Sequence, residues 1–350
     1  MLSIRPRRRS VFASACALVF LVVGPAGPAG AFPPSRVTQA RDWLVTQQQP
    51  DGGFEVAGFP GFETPDATLA LAIAGQPKRR WSTTAAKAAV DAVRTGGRSA
   101  LDWAGDFAEG PLSAGQAAKL VVLVAAPTGT SLDAFDPDDD GVAVDLLAKI
   151  DAGYNPVTGA YGSFNATLFA ILARHLAGLP VSGATVQHVR DAQEAGGGWN
   201  FAGDPSGGYA DVDTTGLAIQ ALVAAGAAGS DPAIQAGLRF LALGQSGSGA
   251  WPSFGSDDPN STALAILAVR AAGHNPAKRC WRDAVAPERA ADPYGNPLRW
   301  LRAQQQPDGR IASPADAWGV NTFATSQAVH ALARTWLPVR ALPVTPCVSA

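Results

Sequence analysis

The stretch that decides the fold is Phe240-Leu241-x-x-x-Gln245-x-x-x-Gly249-x-Trp251, followed by Asn260-Ser261-Thr262-Ala263-Leu264-Ala265-Ile266-Leu267-Ala268. The first part reads as a helix end and a glycine turn closed by an aromatic. Glycine just past a helix permits the left-handed backbone that stops it. The second part reads as a helix of small and apolar residues, ending at Ala272-Gly273. Together they form one repeat of helix, turn and helix.

The first part recurs at Trp43-Leu44-x-x-x-Gln48-x-x-x-Gly52-x-Phe54, at Gln193-x-x-x-Gly197-x-Trp199 and at Trp300-Leu301-x-x-x-Gln305-x-x-x-Gly309-x-Ile311. A stretched copy runs from Leu146-Leu147 through Asp151 to Gly159-x-Tyr161. The Gln can bond exposed carbonyls at the helix end while the aromatic packs over the turn. The second part recurs over 66–75, 112–126, 165–178, 213–226, 260–273 and 321–336. Asn165, Asp213 and Asn260 are 48 and 47 residues apart, so the period is explicit. The second repeat is the weakest copy: 82–94 and 101–107 are plausible helices, but its staple is missing. Residues 275–293, rich in charge and proline, read as a surface loop with a short helix near Cys280 and Trp281.

A helix pair that cannot bury its own apolar face must stack on neighbours. Small-residue helices suit an inner layer packed on nearly all sides, and amphipathic ones such as 39–49 and 297–306 suit an outer layer. The expected fold is therefore all-α, a six-repeat α/α toroid (an α6/α6 barrel) with inner and outer rings of helices.

The Gln-x-x-x-Gly-x-Trp staples and paired helices resemble the prenyltransferase and squalene-oxidase repeat family over essentially all of residues 36–337. That group of α/α toroids includes class II terpene cyclases, protein prenyltransferase β-subunits and the α-barrel of secreted cobalamin carriers. The staple is specific for the fold and nearly silent on function.

Outside the repeats, Arg5, Arg7, Arg8 and Arg9 precede an apolar run at 11–23, then Pro25, Pro28 and Ala29-Gly30-Ala31. This is the pattern of a signal peptide over 1–31, cleaved before Phe32, and implies a secreted, extracellular protein. The toroid domain is then 32–337 and a Pro-rich tail is 338–350. The whole chain has 27 basic and 29 acidic residues. Losing four arginines with the signal leaves 23 against 29, a net charge of −6 that disfavours nucleic acid or anionic membrane as partner. Cys16 leaves too, so Cys280 and Cys347 remain, in an exported chain most simply as one disulfide tying down the tail. Two free buried thiols are the alternative.

Asp211-Val212-Asp213-Thr214-Thr215 is the most suggestive site. It resembles the Asp-x-Asp-Asp motif of class II terpene cyclases, whose middle acid protonates an alkene. Asp211 and Asp213 match, and Thr214 stands in place of the last acid. Burial beside an apolar cavity would raise the pKa of such a general acid. The competing reading is capping. Asp66, Asn165 and Asn260 hold the same helix-start position as Asp213, and Asp and Asn are favoured N-caps.

Other chemistry finds less support. His175, His188, His274 and His330 are scattered singly, Cys280 lacks the acid two residues earlier that a prenyltransferase zinc site has, and no cofactor is expected. Asp136-Pro137-Asp138-Asp139-Asp140-Gly141 has the spacing of a calcium loop, but Leu147 stands at the twelfth position. Acids complementing the dipole of a helix starting near Asp139 explain the run without metal.

The barrel mouth remains. Phe54, Phe59, Phe62, Trp199 and Trp251 are expected to fill turns or rim the mouth, whereas Phe201, Tyr209, Phe254, Trp318 and Asn321 are the ligand-binding candidates. The reading these residues favour is a non-catalytic binder of an amphipathic small molecule, corrinoid-like or isoprenoid-like, with a partner protein completing the site. The alternatives are a class II cyclase-like enzyme with Asp213 as acid and Asp211 assisting, and a cell-surface interaction scaffold.

Overall fold

The structure, a computed structural model, describes residues 35–55, 61–76, 80–319, 321–333 and 336–343, with only the backbone of Ala317 and Trp318. The signal peptide, Phe59, Cys347 and the side chain of Trp318 lie outside the described residues. The chain runs α1 (Arg36–Gln47), α2 (Thr64–Ala74), α3 (Thr83–Asp91), α4 (Ala100–Glu109), α5 (Ala114–Leu120), a π-helical turn (Val121–Ala125), α6 (Ala126–Thr128) and α7 (Leu146–Asp151). It continues with α8 (Phe164–Leu176), α9 (Gly183–Asp191), α10 (Val212–Ala224), α11 (Pro232–Gly244), α12 (Pro259–Ala271), α13 (Cys280–Val285), α14 (Pro297–Ala303) and α15 (Thr322–Ala333). The hairpin β1 (Trp251–Ser253) and β2 (Ser256–Asp258) joins α11 to α12.

The helices differ in burial as their composition suggests. Helices α2, α5 with its π turn, α8, α10, α12 and α15 are buried over most of their length, and each packs on the next in chain order. Helix α15 packs back onto α2, so the order of contacts closes on itself. The outer helices pack against these; α1, for example, contacts both α15 and α2. Small residues allow the close approach: a β-carbon on Gly216 of α10 would lie 3.1 Å from the Leu264 carbonyl oxygen of α12.

The staples work as read, and they also join neighbouring repeats. The Gln48, Gln193, Gln245 and Gln305 amides donate across the turn to the carbonyls of Gly52, Gly197, Gly249 and Gly309. Three of them donate a second bond to the following repeat, to Val93, Ala233 and Arg36. The last of these, Gln305 to Arg36 at 2.8 Å, links the end of the chain of repeats to its start. A threonine completes each turn: the amides of Phe54, Tyr161, Trp199, Trp251 and Ile311 donate to the hydroxyls of Thr64, Thr167, Thr215, Thr262 and Thr325. Trp199 and Trp251 are fully buried, and their indoles donate to Val189 and Leu241, so both are staples rather than ligand groups.

One expectation changes and two details are added. No helix begins at Asp139, which adopts a left-handed φ of 60° in an irregular loop; the Asp136 carboxylate instead accepts the amides of Asp140 and Gly141. The short helix expected near Cys280 and Trp281 is α13, and its first turn packs inward. Trp281 is buried near Trp251, and Arg282, wholly buried, donates to the carbonyls of Arg289, Asp292 and Pro293. The second inner helix widens into a π turn just before Pro127, whose missing N–H breaks the regular ladder.

Gly309 shows how little room the joints leave. Its φ is 100°, and a β-carbon there would collide with the carbonyl oxygen of Gln39 on α1. Gly309→Ala is expected to cost about 2 kcal/mol or more in urea unfolding. Gly247→Ala, at a glycine whose β-carbon would meet nothing within 4 Å, should stay within about 0.5 kcal/mol. Equal effects of the two would deny the joint its role.

Candidate functional site

A cavity of about 290 Å³ lies among the inner helices, and all six of them line it. Leu69, Val122, Phe169, Leu217, Leu264 and Leu267 give it a mostly apolar wall. Its polar groups gather near the starts of the helices. Asp66, Asn165 and Asp213 stand in the first turns of α2, α8 and α10, and Lys119 reaches in from α5.

The structure overturns the capping explanation of Asp213. The caps sit two residues earlier: Ser163 caps α8, Asp211 caps α10 and Asp258 caps α12. The Asp211 carboxylate takes the Thr214 amide at 2.6 Å and the Thr214 hydroxyl at 2.9 Å. Asp258 takes the amides of Asn260 and Ser261 at 2.8 and 3.0 Å. With capping done by Asp211, Asp213 is left on the cavity wall as the second residue of its helix, and its Oδ1 is buried without a hydrogen-bond partner.

Burial is the main cause that pushes the Asp213 carboxyl up to about 6. The negative charges of Asp211 and Asp258 push the same way, and a hydrogen bond from Ser261 opposes them. Burial also raises Asp211 and Asp258, against the stabilising bonds each receives. Asp258, the cap of the next inner helix, is thus near enough for its charge to bear on Asp213.

The polar groups from α2, α5 and α15 form a linked set. Asp66 pairs with Lys119 at 2.9 Å, and Gln327 donates to Asp66 Oδ1 at 3.4 Å. Lys119 also lies 4.9 Å from the ring centre of Phe62 and 5.6 Å from that of Phe323. His330 Nε2 is 3.0 Å from the Asp66 carbonyl oxygen, which can only accept, so this nitrogen carries the proton. Complete burial lowers the pKa of His330 and favours its neutral form. Lys119 and Gln327 were hidden within runs read as apolar helix. His330 looked like an isolated histidine, because its partner Asp66 is 264 residues away.

The mouth candidates divide. Phe201 lines the cavity while remaining exposed, as does Phe62. Tyr209 and Phe254 are exposed but are not among the cavity-lining residues, and Phe254, at 107% relative exposure, sits at the tip of the β1–β2 hairpin. Asn321 also lies off the cavity wall; its side chain accepts the Ala324 amide at the start of α15. A local run of aromatics could not separate these cases. Among the described residues, the one group of acids close enough to hold a metal ion is Asp136, Asp138 and Asp140, with donor atoms within 4.8 Å of one another. The Cys280–Cys347 pairing has its second member outside the described residues.

Among solved structures, the fold is similar to type II terpene cyclase MstE from Scytonema in its apo form. The TM-score is 0.57 at 15% identity, covering 85% of this chain and 96% of that one. A variant of that cyclase in complex with geranylgeranyl dihydroxybenzoate, its substrate, matches with a TM-score of 0.55 at 15% identity, over 86% and 96% of the two chains. Another, with merosterolic acid A, its product, matches at 0.54 and 16%, over 85% and 95%. The likeness at this identity is one of fold, and the terpenoid cyclase-like α/α architecture read from the staples is borne out. No family profile and no curated protein matches the chain.

The buried carboxyl makes stability depend on pH in a defined direction. Because Asp213 titrates near 6 when folded and at 3.8 ordinarily, the folded state holds an extra proton between those values. Its ionisation therefore costs stability as pH rises, and the cost, about 3 kcal/mol at most, is complete above pH 6. Asp213→Asn should be more stable than wild type in urea at pH 7.5, and the gain should shrink towards pH 4. A gain independent of pH would mean that Asp213 carries no buried charge.

Proposed function

We propose that this chain is a six-repeat α6/α6 toroid that cyclises an isoprenoid in its hub, with Asp213 as the general acid. The observation that carries the reading is Asp213 itself: a carboxyl on an apolar wall, released from capping, with one oxygen unpartnered and a pKa near 6. A carboxyl held at that pKa keeps a useful protonated fraction near neutrality and still releases its proton readily. The fold likeness to a terpene cyclase adds the substrate class to try first. That cyclase is matched over nearly its whole length.

The proton balance is simple. Asp213 gives its proton to the terminal carbon–carbon double bond of the substrate, whose π electrons form the new C–H bond. The tertiary cation left behind is attacked by the next double bond, and the new C–C bond closes a ring. A proton passes from carbon to solvent as the double bond is restored, and solvent returns one to the Asp213 carboxylate. The reaction is an isomerisation with no oxidant or reductant. Asp211 and Asp258 assist by their charge: two carboxylates anchored on backbone amides make a third less willing to ionise.

The carrier reading has less behind it. Tyr209, Phe254 and Asn321 stand off the cavity wall, and 290 Å³ is at the small end of ligand sites. A corrinoid would have to sit outside the hub, on residues that form no pocket with it. Export, with cleavage before Phe32, and the tail disulfide remain part of the proposal. Among the described residues, no helix is long and apolar enough to cross a membrane.

Incubating the protein with prenyl alcohols and prenylated arenes of graded length should yield a cyclised isomer of at least one. Asp213→Asn should lower the rate at least about a hundredfold. Because the acid form is needed, kcat/KM should decline as pH rises through about 6. If the wild-type protein yields no cyclised product from any of them, the enzyme reading is lost.

A further inference from the structure

The cavity is closed at one end by residues that belong to no repeat. Beyond α15, Trp336 and Pro338 both line the cavity, and the chain then runs on across the far ends of the inner helices. The ring of Trp336 lies 4.6 Å from that of Trp81, ahead of α3. Further along, the Leu342 amide donates to Ala271 at the end of α12 at 2.9 Å. A β-carbon on Gly229, after α10, would touch Leu342 at 3.4 Å. The segment 336–342 is therefore pinned on opposite sides of the ring and passes beneath the hub as a strap. The polar starts of the inner helices, with Asp213, lie at the other end, where Phe62 and Phe201 line the cavity and are half exposed or more.

A chain entering between Phe62 and Phe201 passes Asp213 and ends at the Trp336 indole. A cavity of about 290 Å³ is at the small end of ligand sites, which favours a short chain over a long one carrying an arene.

We propose that Trp336, held by the strap, sets the length of the ligand, and that the natural substrate is a short isoprenoid. This rests on the isoprenoid reading for the substrate's identity, but the depth of the cavity can be measured without it. Trp336 forms the floor of the cavity beyond the last described residue of α15 and packs on Trp81. Its Nε1 is buried without a hydrogen-bond partner, so nothing polar holds the indole where it lies.

Linear primary alcohols of increasing length, titrated by calorimetry, read the depth directly. In the wild-type protein each added methylene should tighten binding about fourfold until the chain reaches the indole, after which affinity should level off. With Trp336→Ala the levelling should move to longer chains by several carbons, and binding of a four-unit prenyl alcohol should tighten at least tenfold. Trp336→Leu, which keeps apolar packing against Trp81, should give an intermediate shift and guards against an unfolded alanine variant. Affinity that keeps rising in the wild type, a break unmoved in the variants that fold, or no binding of any chain overturns the proposal. A break that moves as expected in a protein that cyclises nothing supports the gauge and removes only the acid chemistry.

Discussion

Each repeat is fastened to the next where a glycine turn lies against the backbone of the following outer helix. A turn buried this way would strand its polar backbone groups, and such groups are costly when unpaired. The molecule meets the need with the same parts each time. A glutamine amide takes the turn carbonyl, a threonine hydroxyl takes the amide of the residue that closes it, and an aromatic or aliphatic side chain covers both. Because several glutamines also reach into the next repeat, no helix pair satisfies its own bonds alone. The bond from Gln305 to Arg36 is of the same kind as the second bonds made by Gln48 and Gln193.

The hub follows from this constraint. Helices that touch through Ala and Gly come close to one another yet leave a cavity among them. Leu and Phe side chains narrow that space without filling it. Polar groups in the first turns of α2, α8 and α10 meet at one end of the cavity, where the positive ends of those helices favour negative charge. Carboxylates collect at that end, some as caps and some as wall groups. Helix dipoles and capping bonds favour the ionised form, while burial disfavours it, and the balance differs by residue. Asp213 has one hydroxyl bond and near-complete burial, so burial dominates. Its neighbours on backbone amides have more to offset the same penalty.

Polar residues on the other walls show a different use of burial. Lys119 and Asp66 satisfy one another, and His330 is kept neutral by its surroundings while its ring N–H is engaged by a carbonyl. The hub therefore offers a protonatable acid at one wall and a charge-balanced polar set from α2, α5 and α15, with hydrocarbon between. Such an interior can bring a proton to an otherwise apolar ligand and exclude the water that would quench a cation.

Much of this was legible in the residues. Staples recurring from Gln48 to Gln305, and helix starts spaced 48 and 47 residues apart, reveal the repeats and their order. The threonines that complete the turns were not recognised, because the loops before them vary from Tyr161–Thr167 to Trp199–Thr215 and break any fixed spacing. Taken alone, the residues favour a cap at Asp213 over an acid, and a shift of two residues in the helix start reverses the answer. Tyr209 and Phe254 looked equal to Phe201, because exposure at a rim is decided by loop direction. The sequence by itself determined the α/α architecture, since periodic apolar faces and turn chemistry are local properties. Tertiary structure alone decided which polar residues face the hub and how acidic they are, because those depend on desolvation and charge from helices far apart in the chain.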